Sequence, residues 1–307
     1  MPIPILIDCD PGHDDAIALL LAVASPEVSL LGVTTVGGNS GLANTTRNAL
    51  RVLELAGRPD IPVAAGCDHP LVRPLEIAEN VHGASGLDGP FLPDPTAQPI
   101  EEHAVDFIAR TVATSTEPVT LIPTGPLTNV AMLLRRHPEV VEGLERIVLM
   151  GGGMAISNVT PAAEFNIWAD PEAAAIVFDA DVDVTMVGLD VTHQALLAPH
   201  DVDRSAGICA GVVAEFLEFF GRFHREVYGL DASPIHDAVA VGHVIWPDLL
   251  TTEHVNVTVE SASELTRGAT VVDINRVTDR PPNVHVAVDI DGTAFNERLT
   301  ERLERLP

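Results

Sequence analysis

Lysine is absent from this 307-residue chain, and all 17 basic residues are arginine. The absence removes chemistries built on an amine nucleophile or a phosphate-gripping lysine: Schiff-base catalysis, P-loop nucleotide hydrolysis and kinase-type transfer. Basic charge of any kind is scarce beside 44 acidic residues, and a formal net charge of −27 opposes extended contact with DNA, RNA or an anionic membrane surface. Cysteine is sparse too. Cys9, Cys67 and Cys209 are odd in number, far apart and free of any C-x-x-C pattern, which argues against a disulfide framework or a zinc site. The longest apolar run, Ala16 to Ala24, is too short to span a bilayer. Met1-Pro2-Ile3-Pro4 has no basic n-region ahead of the first strand, so no signal peptide is expected and the setting reads as the reducing cytoplasm.

What remains is a chain that is 46% hydrophobic, enough for one large core, with no internal repeat or low-complexity linker to divide residues 1–307. Strands alternate with helices along most of it. The apolar runs at Ile5–Ile7, Val28–Val36, Ile61–Ala65, Val119–Thr124, Ile147–Met150 and Val182–Val187 read as strands. Helices are expected between them, from Ser40 to Gly57, Glu101 to Thr114, Leu127 to before Pro138 and Pro171 to Phe178. This predicts a single α/β domain with an open, mostly parallel central sheet and helices on both faces. Gly66 to Pro99 is a long irregular segment rich in proline and glycine, of the kind that tends to carry function. Val202 to Phe223 reads as a helix whose phenylalanines are packing residues. Strands are expected at Val255–Glu260, Ala269–Asp273 and Val284–Asp289, then a helix from Ala294 to Leu303.

Acidic residues concentrate at the start. Asp8, Asp10, Asp14 and Asp15 follow the first strand within eight residues, and a helix begins on the last two. Like charges at close range in a partly buried site repel by several kcal/mol, roughly, so protons or a cation must neutralise them. Hard oxygen donors of this kind suit Ca²⁺ or Mg²⁺. The plainer alternative is that Asp14 and Asp15 favour the positive end of a helix dipole while Asp8 and Asp10 lie on a solvated turn.

In an open parallel sheet, ligands bind beyond the carboxyl ends of the strands. On that edge the reading also places Asn39, Thr124, Asn129, Asn158, Glu164 and Asn166, a set of oxygen and amide groups without a basic cluster. Such a set suits a neutral, hydroxyl-rich ligand such as a sugar and disfavours a phosphate ester. His236-Asp237 opens another helix, and His82 sits on the long loop; both histidines are candidate proton donors.

Asp8-Cys9-Asp10-Pro11-Gly12-His13-Asp14-Asp15 resembles the amino-terminal signature D-T-D-P-G-x-D-D of the inosine-uridine nucleoside hydrolases. The resemblance runs on through Gly37-Gly38-Asn39, His82-Gly83, Thr124-Gly125-Pro126-Leu127-Thr128-Asn129, Met150-Gly151-Gly152, Asn158-Val159-Thr160-Pro161, Glu164-Phe165-Asn166 and His236-Asp237, in order over essentially the whole chain. It implies the Rossmann-like nucleoside hydrolase fold and hydrolysis of the N-glycosidic bond of ribonucleosides, inosine or uridine among them, to ribose and free base. By the same resemblance one Ca²⁺ per subunit is held by Asp10, Asp15, the Thr124 carbonyl and Asp237, with Asp10 as general base for the attacking water. Asp14, Asn39, Asn158, Glu164 and Asn166 would grip the ribose hydroxyls and Met150 would line their pocket. His236 would assist the departing base with His82 beside it, while Phe165, Arg222 and Tyr228 would influence which base is accepted. A homodimer or homotetramer is implied as well. Cys9 departs from the signature; between aspartates its thiol pKa should rise, so it reads as a small packed residue and not as a nucleophile.

Two rivals follow from the residues. Asp289-Ile290-Asp291-Gly292-Thr293 matches the D-x-D-G-T of haloacid-dehalogenase-like phosphatases, but it lies at the wrong end of the chain and lacks a lysine, so it reads as a strand turning into the last helix. A non-catalytic, Ca²⁺-dependent ribose- or nucleoside-binding protein would keep the metal and sugar groups without needing Asp10 as a base or His236.

Overall fold

The computed structural model describes residues 1–307. Its strands in chain order are β1 (Ile3–Cys9), β2 (Val28–Thr35), β3 (Val63–Ala65), β4 (Val119–Pro123), β5 (Leu144–Met150), β6 (Val184–Val187), β7 (Leu196–Leu197), β8 (Ser233–Pro234), β9 (Leu250–Val255), β10 (Val257–Val259), β11 (Thr270–Val272) and β12 (Val284–Ile290). Eight of them form one sheet in the order β3-β2-β1-β4-β5-β6-β12-β9. All neighbours are parallel except β9, which runs antiparallel to β12 at the edge. From β1 the chain winds outward through β2 and β3, then returns to place β4 on the other side. That reversal makes the carboxyl ends of β1 and β4 the switch point where a crevice opens.

The helices are α1 (His13–Ala24), α2 (Leu42–Leu55), α3 (Glu79–His82), α4 (Ala104–Thr114), α5 (Thr128–Arg136), α6 (Phe165–Ala169), α7 (Pro171–Phe178), α8 (Leu189–Thr192), α9 (Ile208–Tyr228), α10 (His236–Ile245) and α11 (Gly292–Leu303). Strand alternation divides the core between the faces. Ile5, Ile7 and Cys9 of β1 join α1, α2, α9, α10 and α11, whereas Leu6 joins α4, α5 and α7. Helices α1 and α10 are apolar on nearly every side and pack against each other in the thicker layer. Their first turns therefore lie together beside the switch point.

Three expectations need correction. The strand expected at Val255–Glu260 is two: β9 ends at Val255, and β10 leaves the sheet to pair with β11. The antiparallel edge strand over Leu250–Val255 was not expected, because its half-exposed polar residues, Thr251 to His254, lack the apolar run of a buried strand. The long helix runs over Ile208–Tyr228 and so starts and ends later than Val202–Phe223. Asp291 does cap the final helix, accepting from the Ala294 amide.

Where α10 meets α11, Gly242 allows close approach: a Cβ there would fall within the contact radius of Phe295 Cε2, and Phe295 is fully buried. Alanine is worth about 1 kcal/mol over glycine in an exposed helix. Overpacking a closed core costs about 1–3 kcal/mol. Gly242→Ala should therefore lower stability in urea unfolding; a stabilised variant would mean that the ring shifts freely.

Candidate active site

The site is built from the first turns of two apolar helices and the loops that leave the sheet. Asp14 and Asp15 stand in the first turn of α1, and Asp237 in that of α10. Oxygen atoms of these three buried carboxylates lie within 4.8 Å of one another. Burial raises the pKa of each, and the neighbouring carboxylates raise Asp14 and Asp237 further.

Hydrogen bonding separates the acidic residues into different situations. Asp15 is saturated: Oδ1 accepts from Thr124 Oγ1 at 2.8 Å and the Asp10 amide at 3.4 Å, and Oδ2 from the Gly12 amide at 3.0 Å and Asn39 Nδ2 at 3.2 Å. Asp10 is half satisfied. Its Oδ2 accepts from the Asn39 amide at 2.6 Å, whereas the buried Oδ1 has no partner. Glycine makes that pose possible, since a Cβ on Gly125 would sit 2.5 Å from Asp10 Oδ1 and one on Gly38 would collide with Oδ2. Asp8 lies deeper, accepting at Oδ1 from Thr34 Oγ1 at 2.5 Å and Asn129 Nδ2 at 2.8 Å, with its pKa raised by burial to about 6. Burial first, then the surrounding aspartates, drives the Cys9 thiol well above its ordinary range, in keeping with a packed residue.

Above this acidic group opens a cavity of about 290 Å³. Asp14, Asn39, His82, Thr124, Met150, Asn158, Glu164, Phe165, Asn166, His236 and Asp237 all border it, with Asp10 and Asp15 beneath. Asn166 donates Nδ2 to the Thr124 carbonyl at 2.7 Å, and Glu164 accepts from the Gly152, Asn166 and Ile167 amides. Asn158 Oδ1 accepts from the Phe165 amide. These bonds hold the loops after β4 and β5 together. The opposite part of the lining is aromatic: Phe220, Phe223, His224 and Tyr228 of α9 form a continuous set of ring contacts with His193 and His236. His236 Nδ1 is hydrogen-bonded to Thr192 Oγ1 at 2.7 Å, which leaves Nε2 without a protein partner. Burial holds the His236 and His82 pKa values well below the usual histidine range, so both rings are neutral at neutral pH.

Residues 5–297 match the family described as inosine-uridine preferring nucleoside hydrolase. The chain belongs to that family. It is 50% identical to a relative named pyrimidine-specific ribonucleoside hydrolase RihA, from Salmonella paratyphi B, over 99% of both chains. Among solved structures it resembles a plant nucleoside hydrolase with a TM-score of 0.92 and 35% identity, covering 99% of this chain and 100% of that one. A purine-preferring ribonucleoside hydrolase from Gardnerella vaginalis gives a TM-score of 0.92 at 34% identity over 98% of each. The chain is thus a nucleoside-hydrolysing enzyme of the glycosidase class.

Several features of this nucleoside hydrolase differ from the sequence reading. Phe220 and Phe223, taken as packing residues, line the cavity, and Trp168, His193 and His224 join them. The signal was present in α9, where Phe220, His224 and Tyr228 recur every four residues on one helical face. Arg222 instead points outward over the Phe219 ring and does not border the cavity. Asn129 does not border it either. It ties Asp8 to the Thr35 carbonyl through Nδ2 and takes the Cys67 amide on Oδ1, so Asp8 and Asn129 together clamp β1, β2 and α5. Removing a multiply bonded buried amide strands its partners at about 1–3 kcal/mol each. Asn129→Ala should therefore cost at least about 2 kcal/mol, read from the urea midpoint at constant m-value; a loss well below that would show that the clamp is not needed.

Proposed function

We propose that this nucleoside hydrolase cleaves the N-glycosidic bond of pyrimidine ribonucleosides, uridine and cytidine, with one Ca²⁺ per subunit. The observation that carries the reading is the pairing, in one cavity, of a buried carboxylate group with an aromatic and histidine wall. The first suits ribose hydroxyls, the second a flat heterocycle. Pyrimidine preference is supported by the 50% identity to relatives named for it, against 34% to one named for purines.

The residues fit a divalent cation. Asp14, Asp15 and Asp237 converge, Asp10 Oδ1 is a buried acceptor without a donor, and all are hard oxygen groups of the kind Ca²⁺ takes. Asp10, Asp15, the Thr124 carbonyl and Asp237 would hold it, and Asp14 faces the cavity from beside them. When bound, the cation offsets the carboxylate repulsion and makes water a better nucleophile at neutral pH.

Asp10 would serve as the general base, a role supported by Asn39 fixing Oδ2 and by the unpartnered Oδ1, which can accept the proton of the attacking water. As oxygen bonds to C1′, the C1′–N bond breaks and its electron pair leaves with the base. His236 would hydrogen-bond or protonate the departing base through Nε2, which has no protein partner, while Thr192 holds the ring at Nδ1. The carboxylates beneath the sugar favour the positive charge that C1′ develops. Asn39, Asn158, Glu164 and Asn166 would orient the ribose, with Met150 and Phe165 beside it. No helix is long and apolar enough to cross a membrane; a cytoplasmic homodimer or homotetramer is proposed on the family resemblance alone.

A reducing-sugar assay over uridine, cytidine, inosine and adenosine tests reaction and preference together. Ribose should appear fastest from the pyrimidines, cease with a strong chelator and return with Ca²⁺. Tight nucleoside binding without ribose release would favour the rival ribose-binding protein.

His236→Ala separates the leaving-group step from the rest. Turnover of uridine should fall by about 10²-fold or more, while nitrophenyl riboside, whose leaving group needs no proton, should be hydrolysed nearly as fast as by the parent enzyme. Equal losses on both would remove His236 from that step.

A further inference from the structure

The two-stranded ribbon of β10 and β11 stands outside the eight-stranded sheet, and the hydrolysis proposed above makes no use of it. Its connecting turn is nevertheless docked onto the wall of the cavity. Arg267 lays its guanidinium over the Trp168 ring, 4.3 Å from the centroid, and Gly268, at φ +80°, lies so close to the Trp168 backbone that a Cβ there would come within 2.5 Å of Cα. Trp168 borders the cavity. Two residues further on, this docking brings Thr270 of β11 to the glycines that follow β5.

There the buried Thr270 side chain takes the place of a neighbouring strand. Its Oγ1 donates to the Gly153 carbonyl at 2.7 Å and accepts from the Gly153 amide at 3.0 Å. Its methyl packs on Gly152, where a Cβ would come within 2.8 Å of Cγ2. Glycines have the widest choice of backbone conformation, and Gly152 is held in the left-handed region at φ +74°, so an outside partner is what selects this path for the chain. The Gly152 amide donates to Glu164 Oε2 at 2.9 Å, and the Ile167 amide donates to the same oxygen at 3.2 Å, which engages both of its lone pairs. Oε1 takes only the Asn166 amide, at 2.9 Å, and keeps an acceptor site for a ligand in the cavity that Glu164 borders. The aim of Oε1 therefore depends on the Gly152 amide, and through it on Gly153 and Thr270.

We propose that Thr270 is a positioning residue: by pairing with both backbone groups of Gly153, its hydroxyl aims the Gly152 amide at Glu164 and so sets the carboxylate oxygen that receives a ribose hydroxyl. Thr270 itself does not border the cavity. Ribose as the occupant rests on the nucleoside reading above; the link from Thr270 to the Gly152 amide does not.

Thr270→Val keeps the shape of the side chain and removes the hydroxyl. With Ca²⁺ present, KM for uridine should rise by about tenfold with kcat little changed, the pattern of a contact made equally in the ground and transition states. Thr270→Ser, which keeps the hydroxyl without the methyl, should restore the parent KM. A role confined to stability would reduce the amount of active enzyme, and with it kcat, at an unchanged KM; that result overturns the proposal, as does an equal KM in the valine and serine variants. Should the valine variant not fold, Thr270→Ala compared with Thr270→Ser isolates the same hydroxyl.

NMR of protein labelled with ¹³C-carbonyl, ¹⁵N-glycine reads the geometry without substrate. Correlating each amide with the preceding carbonyl selects only a glycine that follows a glycine, which leaves Gly38, Gly152 and Gly153, and the Gly152 signal is assigned by its loss in Gly151→Ala. It should move in Thr270→Val and return in Thr270→Ser; a Gly152 signal unmoved by the loss of the hydroxyl overturns the proposal. Absence of any nucleoside hydrolysis would count against the proposed function alone, since this signal would still judge Thr270.

Discussion

Two apolar helices packed side by side force the acidic residues of this protein together. Ile17, Leu19, Leu20 and Leu21 of α1 and Val239, Val241, Val244 and Ile245 of α10 are buried in one core. Each contributes about 1.5–3 kcal/mol relative to exposure. Two like charges 4 Å apart repel by about 4 kcal/mol at the effective dielectric of a protein surface. Packing therefore outweighs any single repulsion between Asp14, Asp15 and Asp237, and the fold can hold them in contact. The repulsion does not vanish: together with burial, the larger cause, it holds the carboxyl groups of Asp14 and Asp237 above their ordinary pKa range.

Within that constraint, hydrogen bonds divide the work. Asp15 takes donors on both oxygens and is the rigid centre of the cluster, whereas Asp8 takes Thr34 and Asn129 on Oδ1 alone, as part of a clamp, with Oδ2 buried and without a partner. Asp10 is likewise fixed by one oxygen and open at the other, which suits the general-base role proposed for it. Asp14 and Asp237 face the cavity. Five aspartates are thus distinguished by the donors that reach them and by which of them face the cavity.

Much of this was legible in the residues because the acidic motif, Asn39, Thr124, Glu164, Asn166 and His236-Asp237 each follow an apolar run or open a helix, and a parallel sheet collects such positions on one edge. The strand order was not legible. Nothing local in β4 says that it returns beside β1, yet that return brings Thr124 to Asp15. Phe220 and Phe223 were misread because an aromatic on an amphipathic helix has the same pattern whether it meets a core or a cavity. The contact of His13 with His82 spans 69 positions in the chain and leaves no periodic trace at all.

The two parts of the cavity differ in how freely they can change. The carboxylates are rooted in α1 and α10, whose residues are buried almost throughout, so any shift there disturbs the main core. The aromatic wall hangs on α9, whose far side is exposed and whose last turn, Arg225 to Tyr228, is solvent-facing. Substitutions at Phe223 or Tyr228, which touch no residue of α1, can reshape the heterocycle side, whereas Phe220 packs on His13 beside Asp14 and is tied to the carboxylates. The same fold at a TM-score of 0.92 in a purine-preferring hydrolase, beside 50% identity to pyrimidine-specific ones, is what such a division allows. Under the proposed function, base preference belongs to the outer end of α9, whereas the capacity to hold and cleave a riboside rests on the packing of the two inner helices.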